Sequence, residues 1–200
     1  MDVRPILLSF QTAIIAILFT FVLGTGVAYI VFRLKNRKLK ILLNSLFTLP
    51  LVLPPTVFGF FLLTIFGVQQ PVGQFLLDFF AIQVVFSWPA TVIAAVAVSF
   101  PLMYRSALTA FEQMDSELLA VAQTLGFSES RYFRKIALPL SMNGLLAGGV
   151  LAFARGLGEF GATTMLAGNI AGKTRTLPLA IYSAVASGDW RLANQYVVIM

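Results

Sequence analysis

The sequence predicts an all-α integral membrane protein. It crosses the bilayer five times, with six crossings as the competing count, and carries a polar pair of short cytoplasmic helices in its middle. Three observations lead there. Of 200 residues, 58% are hydrophobic and 11% charged, against roughly 25% charged in a soluble domain. Apolar runs matching the roughly 20 residues of a bilayer-spanning helix recur along the chain. The basic residues cluster beside those runs, five of the fourteen lying within RLKNRKLK at 33–40. Residues 1–200 read as a single transmembrane domain.

The elements follow in order. Residues 6–32 form the first span, too long for a signal-peptide core and followed, not preceded, by basic residues. Residues 41–68 form the second, interrupted by Pro50, Pro54 and Pro55. Prolines so close together break the helix hydrogen-bond ladder, and the freed carbonyls need protein or water as partners. Pro54, Pro55 and Thr56 are therefore candidates for lining a path. Residues 79–104 form the third span, with Pro89 and Pro101. Residues 136–154 form the fourth, where Gly144, Gly148 and Ala152 make a small-residue stripe suited to close helix packing. Residues 177–188 are too short to span and are expected as a short helix at the outer face. LANQYVVIM at 192–200 begins a last span that Met200 cuts off, so the chain is expected to be incomplete at its C-terminus or to end early.

Charge sets the orientation. The basic segment 33–40 and the basic residues Arg105, Arg131, Arg134 and Lys135 are separated by two spans, so they share one side, which is cytoplasmic by the positive-inside rule. The N-terminus is then outside. The net charge of +6 belongs to this orientation and not to nucleic acid. With no cysteine and no histidine, disulfides, His or Cys metal sites and His-dependent catalysis are excluded, and no cofactor is expected.

SELLAVAQTLGFSESRYFRKIALPL at 116–140 is the polar insertion. Asp115 or Ser116 caps a helix, and Glu117 sits in its first turn, favoured by the dipole. Leu118, Ala122 and Leu125 recur on one face. Gly126 suits the C′ position. Ser128 caps a second short helix with Arg131, Arg134 and Lys135, and Pro139 opens the fourth span. The residues alone leave two readings open: an amphipathic loop on lipid headgroups, or a docking element for a cytoplasmic partner.

The stretch resembles the E-A-A-x3-G-x9-I-x-L-P coupling motif of ABC-transporter permease subunits. Gly126, Ile136, Leu138 and Pro139 match at full spacing, and Ala122 matches the second alanine. Ala120 stands at the glutamate position, Val121 at the first alanine, and Glu117 lies one helical turn earlier. LPLVLPPTVFGFFLL at 49–63 and RGLGEFGATTMLAGNIAGKTRTLPLAIY at 155–182 are similar to the molybdate permease subunits of bacterial and archaeal importers, with sulfate and tungstate permeases as near relatives. The resemblance implies a homodimer in the cytoplasmic membrane, contacting two cytoplasmic ATP-binding subunits through a coupling segment at about 112–138. It also implies an extracytoplasmic oxyanion-binding protein that delivers the anion. On this reading the chain is no enzyme, and ATP hydrolysis belongs to the partner. A stand-alone secondary transporter or channel is the alternative, but the inverted repeats that would favour it are not visible.

AGNIAGKT at 167–174 imitates a phosphate-binding loop. Position 167 is Ala instead of Gly, Gly168 stands one residue too close to Gly172, and no soluble strand precedes it. It reads as a flexible outer loop. Arg155 and Glu159, four apart after the fourth span, are ionisable groups near membrane depth and so candidates for the path or gate. Their simplest reading is a mutual ion pair.

Overall fold

The computed structural model describes residues 1–115 and 117–200, and every regular element among them is helical. Ser116, one of the two expected caps, lies outside the described residues.

Helix α1 (Arg4–Arg33) is an inside-out element. Its buried face is small, including Thr12, Ala16, Thr20, Gly24 and Ala28 at four-residue spacing. Its exposed face is large and apolar, including Leu18, Phe19 and Val22. Lipid tails solvate such a face as well as a protein core does, so association in a bilayer rests on close backbone approach. The partner is α5 (Trp88–Glu112). A Cβ at Gly24 would stand 2.7 Å from the Met103 side chain. Buried hydroxyls pair across the seam, Thr12 with Thr91 at 2.9 Å and Thr20 with Ser99 at 3.1 Å. Both partners advance by eight residues, so α1 and α5 run parallel.

The expected second span is broken. Helix α2 (Arg37–Val52) and helix α3 (Pro55–Phe66) meet at a 113° bend. Pro54 lies between them, and α3 starts with Pro55, whose missing N–H is no loss in a first turn. Helix α4 (Pro71–Phe80) follows and ends on Ala81 in the left-handed region, φ 53°. The third span therefore begins at Trp88 and not near Phe79, since the two phenylalanines at 79–80 close α4. It extends to Glu112, and Pro101 is accommodated inside it.

Helices α6 (Glu117–Thr124) and α7 (Glu129–Tyr132), a π-helical turn at Phe133–Ala137 and the short α8 (Leu138–Leu140) form the polar insertion. The segment Glu129–Leu140 meets helix α9 (Met142–Leu157) at 73°. The straight helix expected over 136–154 is thus bent, with residues 136–140 in the arm before the bend and α9 starting at Met142. Its small-residue stripe packs within the chain against α5. Cβ atoms at Gly144 and Gly148 would fall 2.6 and 2.5 Å from the Cβ atoms of Ala110 and Ser106.

Helices α10 (Gly161–Ala167), α11 (Leu177–Ala186) and α12 (Trp190–Ile199) complete the chain. Helix α11 is apolar but only ten residues long. Among the described residues two helices, α1 and α5, are long and apolar enough to cross a membrane, and up to four crossings result if each bent pair counts as one.

Candidate coupling and translocation sites

The polar insertion closes one end of the bundle. Asp115 Oδ1 accepts the Glu117 N–H at 2.9 Å. The end of α6 is a Schellman turn: Phe127 N–H donates to Ala122 O and Gly126 N–H to Gln123 O, each at 3.0 Å, with Gly126 at φ +74°. Ser128 accepts the Arg131 N–H as the cap of α7. These local signals were legible in the residues.

The insertion is held by burial on its inner side. Ala122, Tyr132 and Ala137 join a core with Ala28, Val31 and Phe111 from the ends of α1 and α5. Burial raises the Tyr132 phenol above its ordinary pKa, with Arg33 opposing and Glu129 reinforcing. Two ion pairs fasten the rim: Arg33 Nη2 to Glu129 Oε1 at 2.5 Å and Lys40 Nζ to Glu112 Oε1 at 2.7 Å. The first ties the basic segment 33–40 to the polar insertion and the second ties it to the last residue of α5, so the basic segment and the insertion lie at one end of the bundle.

Of the motif positions, Ala122 is buried, Ile136 and Leu138 are half-buried, and Glu117, Ala120, Val121, Gly126 and Pro139 are exposed. Leu125 departs from the expected apolar face. It is 71% exposed, because α6 ends at Thr124 and the chain is already turning towards Gly126. The C-terminal end of α6 and the residue after it therefore expose Val121 and Leu125 beside Gln123 and Thr124, with no carboxylate.

The second set of candidates comes together around two helix starts. Gly161, the first residue of α10, lies so close to α3 that a Cβ there would be 2.8 Å from Pro55 Cβ and 3.1 Å from Thr56 N. A Cβ at Gly59 would be 2.7 Å from Ala162 Cα. Next to this crossing, Glu159 is 2% exposed. Its Oε1 accepts the Ala162 N–H at 2.7 Å, and its Oε2 lies 2.7 Å from Arg155 Nη1. Arg155 sits in the last turn of α9 and Glu159 just before α10, so each charge opposes the dipole of its own helix end. Pro54, Pro55 and Thr56 themselves are exposed. The path candidates are thus one neighbourhood, with the ion pair inside and the prolines at its surface.

The loop at 168–176 is built and not slack. Thr174 is fully buried; its Oγ1 accepts the Ile170 N–H and donates to Gly168 O. No group of three or more Asp and Glu able to hold a metal occurs among the described residues.

The small-residue stripe of α1 and the ion-pairing role of Glu129 went unread in the sequence. The first had a signal, the four-residue spacing of Thr12, Ala16, Thr20, Gly24 and Ala28. The second had none, since Arg33 and Glu129 are 96 residues apart.

Comparison with known proteins accords with this geometry. The chain is 46% identical over 194 residues to a Bacillus subtilis (strain 168) protein with the provisional name molybdenum transport system permease protein YvgM, covering 97% of this chain and 85% of that one. It is 44% identical to the molybdenum transport system permease protein ModB of Haemophilus influenzae, covering 92% of this chain and 80% of the relative. ModB of Escherichia coli (strain K12) is also 44% identical, with 91% and 79% covered. Residues 20–192 match the family described as binding-protein-dependent transport system inner membrane component. By that match and these identities, the chain belongs to the family of inner membrane components of binding-protein-dependent transport systems.

Proposed function

We propose that this chain is the permease subunit of an ATP-driven importer of a tetrahedral oxyanion, with molybdate as substrate. The observation that carries the reading is the 44–46% identity to molybdenum permeases over nearly the whole chain. The chain performs no chemistry of its own. Two cytoplasmic ATP-binding subunits hydrolyse ATP, and an extracytoplasmic binding protein delivers the anion in a bacterial or archaeal cytoplasmic membrane. Tungstate and sulfate are the nearest alternative substrates.

The coupling segment is assigned to about 112–138, with the ATPase meeting Glu117, Ala120, Val121 and Gly126 on its exposed side. Ala122, Ile136 and Leu138 seat the segment on the bundle, and Pro139 completes the motif on the exposed side. The core and ion pairs that bind it to α1, α2 and α5 support a rigid transmission of ATPase closure. Five crossings within 1–200 remain the preferred count. A homodimer is supported by α2, which buries no residue, and by α3, which buries only Gly59 and Leu62. Pro54, Pro55 and Thr56 border the path, and Arg155 with Glu159 holds the break between α9 and α10.

The test is uptake of labelled molybdate into proteoliposomes holding the permease, its ATPase and the binding protein. Uptake is expected to require ATP and the binding protein together, and to be competed by tungstate more strongly than by sulfate. Uptake that needs neither would support the secondary-transporter reading instead.

A further inference from the structure

At the end of the bundle opposite the coupling segment lies a cavity of about 780 Å³, between the start of α1, α11 and α12. The thirty residues of α1 separate the two ends by about 45 Å. Arg175 and Arg191 line the cavity, together with Ser183 and Ser187 and the carboxylates of Asp2 and Asp189.

The charges are arranged unequally. One oxygen of each carboxylate is engaged by backbone: Asp2 Oδ1 accepts the Arg4 N–H at 3.0 Å, and Asp189 Oδ1 accepts the Leu192 N–H at 2.9 Å. Neither guanidinium is within ion-pair distance of a carboxylate among the described residues, where three ion pairs occur elsewhere. Arg175 is moreover held in place. Its Nε donates to Asn169 Oδ1 at 2.7 Å, and Asn169 Nδ2 donates to Ser183 Oγ at 2.8 Å. That chain leaves the two Nη groups of a planar, permanently charged donor for the cavity.

We propose that this outer cavity is a vestibule that receives a small tetrahedral dianion by the paired action of Arg175 and Arg191. Guanidinium donors match the oxygen edges of such an anion. The cavity is far larger than one oxyanion, so capture is weak and leaves the anion free to move on. The proposal rests on the importer reading for its choice of anion, but the site itself lies outside the coupling segment and the Arg155–Glu159 neighbourhood.

The experiment is equilibrium binding of radiolabelled molybdate and sulfate to the permease–ATPase assembly in nanodiscs, without binding protein or nucleotide. Saturable, salt-sensitive binding is expected, weakened about tenfold by Arg175→Gln and by Arg191→Gln, and unchanged by Lys173→Gln on the same loop. Should Arg175→Gln fail to assemble through loss of its loop contact, the exposed Arg191→Gln decides alone. Absent binding, or binding equal in parent and variants, overturns the proposal. So does loss of binding-protein capture with small-anion binding intact, which would assign the cavity to an acidic protein surface. ATP-driven uptake by the parent, measured in parallel, separates the two claims. Binding without import would sink the importer reading alone, and import without binding would sink the vestibule alone.

Discussion

Glu159 reaches both ways across the break between α9 and α10: one carboxylate oxygen holds the Ala162 N–H and the other lies 2.7 Å from Arg155 Nη1. Its side chain is 1% exposed and that of Arg155 is 31% exposed, so removing either partner strands a charge unequally. Arg155→Gln leaves the buried Glu159 carboxylate unpaired and should destabilise the assembled permease by about 3 kcal/mol; Glu159→Gln leaves the partly exposed Arg155, which water can reach, and should cost less. The double variant should lose less than the sum of the singles. Thermal unfolding in detergent gives the cycle, and uptake gives its functional counterpart. If Arg155→Gln leaves stability intact and abolishes only anion passage while Glu159→Gln does nothing, Arg155 belongs to the path.

Gly126 adopts φ +74°, and a Cβ there would meet no atom within 4 Å. The cost of a side chain is therefore backbone strain, about 1–2 kcal/mol for an ordinary L-residue. Gly126→Val should reduce ATPase co-purification and coupled uptake while the protein still inserts, and Gly126→Asn should be much milder. Equal co-purification in both variants and parent would count against the coupling assignment.

The α3–α10 crossing leaves no room for a methyl group. Gly59→Ala and Gly161→Ala should each cost about 1–3 kcal/mol through overpacking, read as a lowered Tm. Gly26→Ala, where nothing lies within 4 Å, is the control and should be neutral or slightly stabilising.

Thr174 should matter and Lys173 should not. Thr174→Val removes a buried hydroxyl that both accepts and donates, at a cost of about 1–3 kcal/mol. Lys173→Ala should leave both stability and the ATP affinity of the assembled transporter unchanged. A large loss of ATP affinity with the complex intact would reinstate the phosphate-loop reading.

Thr56 is exposed at the start of α3. In this chain without native cysteine, Thr56→Cys should react with water-soluble thiol reagents in at least one nucleotide state. Inaccessibility in every state would reduce the prolines to a packing feature.

Much was legible before any fold was seen, because it is local. Bilayer residence follows from composition, the helix break from Pro54 and Pro55, the left-handed turn from Gly126, and the cap from Ser128. The Arg155–Glu159 pair follows from four-residue spacing. What the tertiary structure alone decided concerns which face meets which. In water, an apolar stripe points to the core. In a bilayer, lipid is as apolar as the core, so hydropathy does not separate the lipid face of α1 from its packed face. Only the fold set Gly24 on Met103, Pro55 against Gly161 and Arg33 on Glu129. The span ends moved for a related reason. Phe79 and Ile136 are as apolar as any span residue, so hydropathy does not mark the ends, which lie where α4 closes on the left-handed Ala81 and where the chain bends between Leu140 and Met142.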